Sequence, residues 1–224
     1  GLIPGTEASV LYVTNALGVA ISSSNWSGKD SFVGVDFAFR EYFKIATLKG
    51  QAEHYALGHV SFAPGLYIAN RVDDEDGRVL GVVIAKVEFP LLESEWRAGR
   101  KPVYVTDHNG IVLLTSVPEW RFKTTKNLND ETLTELSLLR QFGEAKLAPL
   151  PVTEVTLTVG DARIVSALDE KGTTTSYLSI GFPVPSTSWL LNYLQPLEAT
   201  VNRYMREMFF SALAVLMPLI AASG

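Results

Sequence analysis

The sequence predicts an α+β protein made of two tandem modules, each an antiparallel sheet flanked by helices, followed by a C-terminal helix that enters a membrane. Three observations lead to this fold class: a hairpin motif that occurs twice, helical spacing of apolar residues between β-runs, and an uncharged C-terminal end. The 224 residues are enough for two domains of about 100 residues each. With 47% hydrophobic and 19% charged residues, the composition is that of a globular chain.

An internal repeat defines the two modules. The segment from Leu11 to Ser24, LYVTNALGVAISSS, aligns without a gap with the segment from Val103 to Ser116, VYVTDHNGIVLLTS. Each copy contains a short β-run, a turn with Asn or Asp and Gly, and a second β-run, which is the pattern of a hairpin. Chance similarity between two hairpins is the alternative. The repeat predicts homologous modules at residues 9–92 and 102–194.

In the first module, the spacing of aromatic residues predicts a helix from Phe37 to Lys49, with Asp36 as its N-cap and Gly50 at its end. The segments predicted to follow are two β-segments within Tyr55 to Ala69, a charged turn from Asp73 to Arg78, a strand from Leu80 to Phe89 and a linker from Leu91 to Pro102.

The second module repeats this plan. Leucine spacing predicts a helix from Asn129 to Gly143, and the alternation of Val or Leu with Thr predicts a strand from Val152 to Val159. The remaining predicted elements are turns at Gly160–Asp161 and Lys171–Gly172 and strands from Tyr177 to Val184 and from Trp189 to Leu194.

The chain ends in an uncharged apolar run from Phe209 to Gly224. We expect this run to be the start of a transmembrane helix, within a C-terminal helical region 195–224 that Pro196 begins. A buried C-terminal helix is the alternative. No signal peptide is visible at Gly1, so we expect the natural N-terminus to lie upstream.

The composition argues against several classes of function. A net charge of −5 without a basic stripe disfavours a nucleic-acid partner, and the absence of cysteine excludes disulfides and thiolate metal sites. The three histidines, His54, His59 and His108, lack the spacing of a catalytic or metal-binding motif. The acidic run from Asp73 to Asp76 lacks the spacing of a calcium loop and is interpreted as a solvated turn. We predict neither catalytic residues nor metal ligands.

Two cations stand in apolar surroundings in the first module. Arg40 shares a helical stripe with Phe37 and Phe43, and its guanidinium could take a carboxylate through two parallel hydrogen bonds. An arginine that stacks on aromatic rings at the surface is the alternative. Lys86 interrupts a strand-like run of Val and Ile, where a solvent-facing lysine is the ordinary interpretation. Fixed cations with aromatic walls are what a pocket for a small carboxylate needs.

Longer stretches of this module resemble a known family. FREYF (39–43), YALGHVS (55–61) and GVVIAKVE (81–88) are similar to FRPYF, YALGTTS and GVVVVKVD in the extracytoplasmic sensor domains of C4-dicarboxylate-sensing histidine kinases, the DctB type. The resemblance is clear over residues 9–125 and weaker beyond them. It implies two tandem PAS-like (PDC or double Cache) modules, of which the first, membrane-distal one holds the dicarboxylate.

The resemblance also implies a set of ligand-binding residues. Arg40 and Lys86 would clamp the carboxylates, and polar donors or pocket wall would come from Tyr42, Tyr55, Ser61 and the backbone N–H groups of His59 and Val60. The sequence departs from the family at Glu41, where the family has Pro, and at His59–Val60, where it has Thr-Thr. These departures leave open which dicarboxylate is bound, and His59 could equally be a tolerated loop substitution.

For the whole protein, the resemblance implies a two-component sensor histidine kinase of the bacterial inner membrane, with this domain in the periplasm. It implies a homodimer, membrane contact through the C-terminal helix, and no cofactor in this segment, since ATP would serve a kinase domain elsewhere. A tandem PAS-like sensor on a chemoreceptor or a cyclase, binding another small carboxylate or an amino acid, is the alternative. A freestanding solute-binding protein would not explain the apolar C-terminal run.

Overall fold

The computed structural model describes residues 8–159, 162–168, 173–185 and 187–198. Within these ranges the chain forms two compact units. The first contains the residues up to Pro90 together with Leu128–Lys146, and the second contains Leu91–Asn127 together with the residues from Leu147 onward.

The described residues form two antiparallel sheets and three α-helices. The strands of the first sheet are β1 (Ala8–Asn15), β2 (Ala20–Ser23), β3 (Gln51–Leu57), β4 (Pro64–Asp73) and β5 (Val79–Val87). The strands of the second are β6 (Val103–Thr106), β7 (Val112–Thr115), β8 (Val152–Val159), β9 (Ala162–Leu168), β10 (Thr174–Pro183) and β11 (Leu190–Pro196). The helices are α1 (Glu41–Lys49), α2 (Pro90–Ala98) and α3 (Asp130–Leu138).

The two sheets have the same strand order. The first runs β2-β1-β5-β4-β3, and the second runs β7-β6-β11-β10-β9-β8, so that they match strand for strand except for β8 at one edge. In the first unit, α1 packs across β3, β4 and β5. This confirms the predicted α+β class with two antiparallel modules.

The repeated motif forms two hairpins with the same register. The paired residues are Tyr12 with Ser23 and Thr14 with Ala20 in the first hairpin, and Tyr104 with Thr115 and Thr106 with Val112 in the second. In both hairpins the register shifts directly before the threonine. Both turns contain a glycine with positive φ, +89° at Gly18 and +76° at Gly110, a conformation that glycine adopts without the steric cost of a Cβ.

Helix α1 begins at Glu41, so the predicted start at Phe37 is wrong. Arg40 is the N-cap and has extended backbone angles, with φ −73° and ψ 136°. Asp36, the predicted N-cap, instead accepts a hydrogen bond from the backbone N–H of Ala38 at 2.8 Å. Local bonding by an Asp side chain competes with helix formation, and the chain therefore turns before it enters the helix.

The predicted linker from Leu91 to Pro102 is also different in the structure, because most of it is helix α2. Proline suits the first turn of a helix, where its missing N–H is not needed, and Pro90 occupies that position. Glu93, in the first turn of α2, is buried and pairs with Arg121 of the second unit at 2.6 Å.

Helix α3 begins after Asn129, whose side chain accepts a hydrogen bond from the N–H of Thr132, as expected for an N-cap. The sequence places this helix in the second module, but residues 128–146 group with the first unit. The reason is a pair of hydrogen bonds to β3. The backbone N–H of Leu57 donates to the carbonyl of Gln141 at 2.8 Å, and the side-chain amide of Gln141 donates to the carbonyl of Tyr55 at 3.0 Å.

Pro196 is the last residue of strand β11, and Leu197 and Glu198, directly after it, are helical. The predicted turns at Gly160–Asp161 and Lys171–Gly172, the predicted membrane segment Phe209 to Gly224 and nearly all of region 195–224 lie outside the described residues. Among the helices in the described part of the chain, none has the length and apolar character to cross a membrane.

Candidate functional site

Arg40 is the largest fully buried side chain of the first unit, with 2% of its surface exposed. Its guanidinium donates hydrogen bonds to two backbone carbonyls, those of Leu57 and of Arg140, the latter at 3.3 Å. Its Nε is buried and has no hydrogen-bond partner. None of the ion pairs among the described residues involves Arg40. A buried positive charge without a carboxylate is costly, and its unpaired N–H can bind an anion.

Aromatic rings surround this guanidinium. Its Cζ lies 5.4 Å from the ring centroid of Phe39, 5.9 Å from that of Tyr42 and 5.8 Å from that of Tyr67. Tyr42 and Tyr67 stack on each other with centroids 4.6 Å apart and an interplanar angle of 4°. The hydroxyl of Tyr12 donates to that of Tyr42 at 2.7 Å. The rings contribute cation–π attraction and exclude water from the charge.

Lys86 is the second buried cation, with none of its surface exposed. It lies on the same face of β5 as Val82 and Ile84, because side chains alternate along a strand. Its ammonium donates to the Ser61 hydroxyl at 2.8 Å, to the carbonyl of Ala63 at 2.9 Å and to the carboxylate of Glu88. Sequence alone favoured a solvent-facing lysine, and this interpretation is wrong.

The two cations converge on one ring. Strand pairing places Tyr67 of β4 opposite Lys86 of β5. The Lys86 Nζ lies 5.9 Å from the Tyr67 centroid, about as far as the Arg40 Cζ lies from it. Tyr67 was not predicted as a site residue. The strand register, which pairs it with Lys86, is the signal that could have identified it.

The loop between β3 and β4 lies beside the two cations, Arg40 and Lys86. His59 packs edge-on against Phe37 and Phe39, with centroids 5.1 and 5.2 Å apart. Val60 packs against the hydrophobic core, and the Ser61 hydroxyl bonds to Lys86. The structure therefore brings together Arg40, Tyr42, His59, Val60, Ser61 and Lys86.

Tyr55 differs from the other predicted residues. Its neighbour His54 pairs with Tyr67, whereas Tyr55 pairs with Leu66. Because successive side chains of a strand point to opposite faces, Tyr55 lies on the other face of the sheet from Tyr67 and Lys86. The ring that actually lies between the two cations is that of Tyr67.

Burial determines the charge states of this cluster. It raises the pKa values of Tyr42 and Tyr67, so both hydroxyls keep their protons and can donate. Burial also lowers the pKa of Lys86, and the Glu88 carboxylate opposes this shift. Burial, with the charges of Arg40 and Arg140, lowers the pKa of His59 to about 4, so its ring is neutral at neutral pH. The cluster combines fixed positive charge with neutral donors, which is the chemistry of an anion site.

The low pKa of His59 predicts a specific loss of stability in acid. The unfolded chain takes up a proton on this ring near pH 6.5, but the folded protein does so only near pH 4, so acid favours unfolding within this window. We expect the free energy of unfolding to fall between pH 6.5 and pH 4, and to fall less in His59→Thr. Urea unfolding at pH 7 and pH 4.5 measures both. The same pH dependence in parent and variant would contradict the assignment.

Comparison with known proteins adds an independent line of observation. No family model matches the chain. The chain is 45% identical over 223 residues to the C4-dicarboxylate transport sensor protein DctB of Rhizobium meliloti (strain 1021), a match that covers 100% of this chain and 36% of the relative. It is 27% identical over 215 residues to the DctB of Pseudomonas aeruginosa PAO1, covering 96% of this chain and 32% of the relative.

A solved structure has the same fold. The sensor domain of the V. cholerae histidine kinase DctB matches with a TM-score of 0.72 at 24% identity, over 85% of this chain and 72% of that one. Together with the two sheets, the curated relatives and this solved structure define the class, a sensor domain of tandem PAS-like modules. Within this class, the chain is a sensor domain of the DctB type. It spans about a third of the length of the curated relatives, 36% and 32%.

Proposed function

We propose that the chain is the periplasmic ligand-binding domain of a membrane-bound two-component histidine kinase, and that its first unit binds a C4-dicarboxylate such as succinate, fumarate or malate. The observation that carries the ligand assignment is the Arg40 guanidinium, which is buried, has an unpaired Nε and forms no ion pair among the described residues. The relatives named for C4-dicarboxylates support the same ligand class.

The two cations suit a ligand with a carboxylate at each end. Arg40 would hold one carboxylate with its planar fork, and Lys86 would hold the other. Tyr42 and the loop residues His59, Val60 and Ser61 would line the pocket, together with Tyr67 between the cations. A monocarboxylate would reach only one of the two cations and would form fewer charge-assisted hydrogen bonds, which lowers its affinity.

The Glu88 carboxylate would make ligand binding a switch between two partners of Lys86. Its carboxylate pairs with Lys86, so the second carboxylate of the ligand would compete with a carboxylate of the protein itself. Ligand binding would exchange the Lys86–Glu88 pair for a Lys86–ligand pair and release Glu88, which is partly exposed. This exchange would alter the end of β5 and the loop that carries Ser61.

The remaining steps belong to the whole protein. We infer that the chain is held at the inner membrane through its C-terminal region, acts as a homodimer, and passes its signal to a kinase domain that uses ATP. No cofactor is proposed for the sensor domain.

Calorimetry on the purified chain tests the ligand class. We expect succinate, fumarate or malate to bind with about −5 to −8 kcal/mol, which corresponds to sub-millimolar to micromolar affinity. Acetate and propionate, which carry one carboxylate, should bind at least tenfold more weakly. Absence of binding by all three dicarboxylates, or equal binding of acetate and succinate, would refute the proposal.

A further inference from the structure

The second unit contains a cavity of about 460 Å³ on one face of its sheet, within the size range of small-molecule sites. Four of its lining residues are polar and almost completely buried, each with at most 5% of its surface exposed: Tyr104, Thr106, Ser179 and Asn192. Among the described residues, nothing hydrogen-bonds to the hydroxyls of Tyr104, Thr106 and Ser179. The Arg40 Nε is the only buried side-chain nitrogen or oxygen of the described residues that lacks a partner, so the three hydroxyls are open to the cavity. Asn192 donates from its amide nitrogen to the carbonyl of Leu190 at 3.1 Å.

The internal repeat makes these free hydroxyls informative. Tyr104 and Thr106 occupy the positions that Tyr12 and Thr14 have in the first hairpin. In the first unit both hydroxyls are used inside the protein: that of Tyr12 donates to Tyr42 at 2.7 Å, and that of Thr14 to the carbonyl of Val82 at 3.4 Å. In the second unit the same two groups line a cavity. Because the two hydroxyls of the second unit are open to the cavity and are not used inside the protein, they can serve a ligand.

The strand register also limits the class of ligand. In the first unit Tyr67 pairs with Lys86, and at the corresponding place of the second sheet Ser179 pairs with Leu194. The buried cation of the first unit is therefore replaced by a fully buried leucine. A dianion would have no fixed, buried positive charge to meet at this position.

The charged residues that line the cavity balance one another. They are two acids and two bases, Asp107, Glu154, Lys126 and Arg163. Arg163 pairs with Glu154, and the Lys126 ammonium donates to the backbone carbonyl of His108 at 2.9 Å. Burial raises the pKa of Asp107, and the hydrogen bond that its carboxylate accepts from the backbone N–H of Ile111 opposes this shift. A lining without net charge selects for a ligand without net charge, because an excess charge would stay uncompensated.

We propose that the second unit has a ligand site of its own, which takes a small polar molecule without net charge and holds it through Thr106, Ser179 and Asn192. Two sources share this chemistry: zwitterionic amino acids, and neutral polyols or monosaccharides. Both present several donors and acceptors to the hydroxyl and amide groups of the cavity. The site differs in ligand class from the dicarboxylate site proposed for the first unit.

A ligand screen on the purified chain, by thermal shift and then calorimetry, tests this site. The panel contains amino acids, polyols, monosaccharides and succinate. We expect a member of one neutral class to bind, and its affinity to fall about three- to tenfold in Thr106→Val and in Ser179→Ala, since each removes one hydrogen bond at nearly constant shape. Binding by an amino acid identifies the zwitterionic source, and binding by a sugar or polyol identifies the other.

Two further variants are the controls that show whether binding of the neutral ligand depends on the second unit. Thr14→Val makes the same substitution at the equivalent position of the first hairpin, and Arg40→Ala removes the proposed dicarboxylate clamp. Both should bind the neutral ligand as the parent does. The proposal is overturned if no neutral molecule binds, if Thr106→Val and Ser179→Ala both keep the parent affinity, or if Arg40→Ala abolishes the binding. Succinate binding that is lost in Thr106→Val and kept in Arg40→Ala would also overturn it.

Discussion

Replacing Arg40 by alanine should weaken succinate binding at least tenfold, which corresponds to about 1.4 kcal/mol. The guanidinium is the buried cation that no carboxylate of the described residues neutralises, so its loss removes the charge-assisted bonds that the proposed ligand would form. The substitution should also lower the free energy of unfolding by about 1–3 kcal/mol, because the carbonyls of Leu57 and Arg140 lose their donor.

A conservative variant separates the effect on succinate affinity from the effect on stability. Arg40→Lys keeps the positive charge but loses the two-pronged fork, so it should also bind succinate poorly while costing less stability. Arg71→Ala is the matched control, because Arg71 also donates to a backbone carbonyl, that of Thr47 at 2.8 Å, and lies outside the cluster. Calorimetry and urea unfolding measure affinity and stability. Parent-like succinate binding by both Arg40 variants would remove Arg40 from the site.

Replacing Lys86 by methionine should lower both the affinity for succinate and the stability of the fold. Succinate binding should fall at least tenfold, about 1.4 kcal/mol, since the second carboxylate loses its cation. The free energy of unfolding should fall by about 1–3 kcal/mol, because the Ser61 hydroxyl, the Ala63 carbonyl and the Glu88 carboxylate lose their donor. This loss is partly offset, because burial lowers the pKa of Lys86 and holding its charge in the folded protein costs stability at neutral pH.

Lys49→Met is the control for this variant. Lys49 is an exposed lysine at the end of α1, and its replacement should leave succinate affinity unchanged. The same calorimetric titrations and urea unfolding curves serve both variants. A Lys86→Met protein that binds succinate like the parent would show that the Lys86–Glu88 pair is purely structural, and that the ligand is held by Arg40 without a second cation.

Local sequence patterns predicted most elements of this protein but missed helix α2, which lies where a linker was predicted. Period-two alternation identified β8 at its observed bounds, Val152–Val159, and the repeated motif predicted two hairpins that have the same register. These predictions succeed because turn chemistry and side-chain alternation act over a few residues. The same patterns misjudged where α1 begins, since Asp36 bonds to the backbone of Ala38 and not to a helix end.

The sequence by itself identified Arg40 and Lys86 as two cations in apolar surroundings, and the family resemblance implied that they clamp carboxylates. Only the tertiary structure decided that both are buried and that both lie beside Tyr67. It also decided that α3 belongs with the first unit. The physical reason is that periodicity reports which side of an element is apolar. Which residues pack against that side, and which donor reaches each buried carbonyl, depend on residues far along the chain. The carbonyl of Arg140, for example, accepts a hydrogen bond from the guanidinium of Arg40.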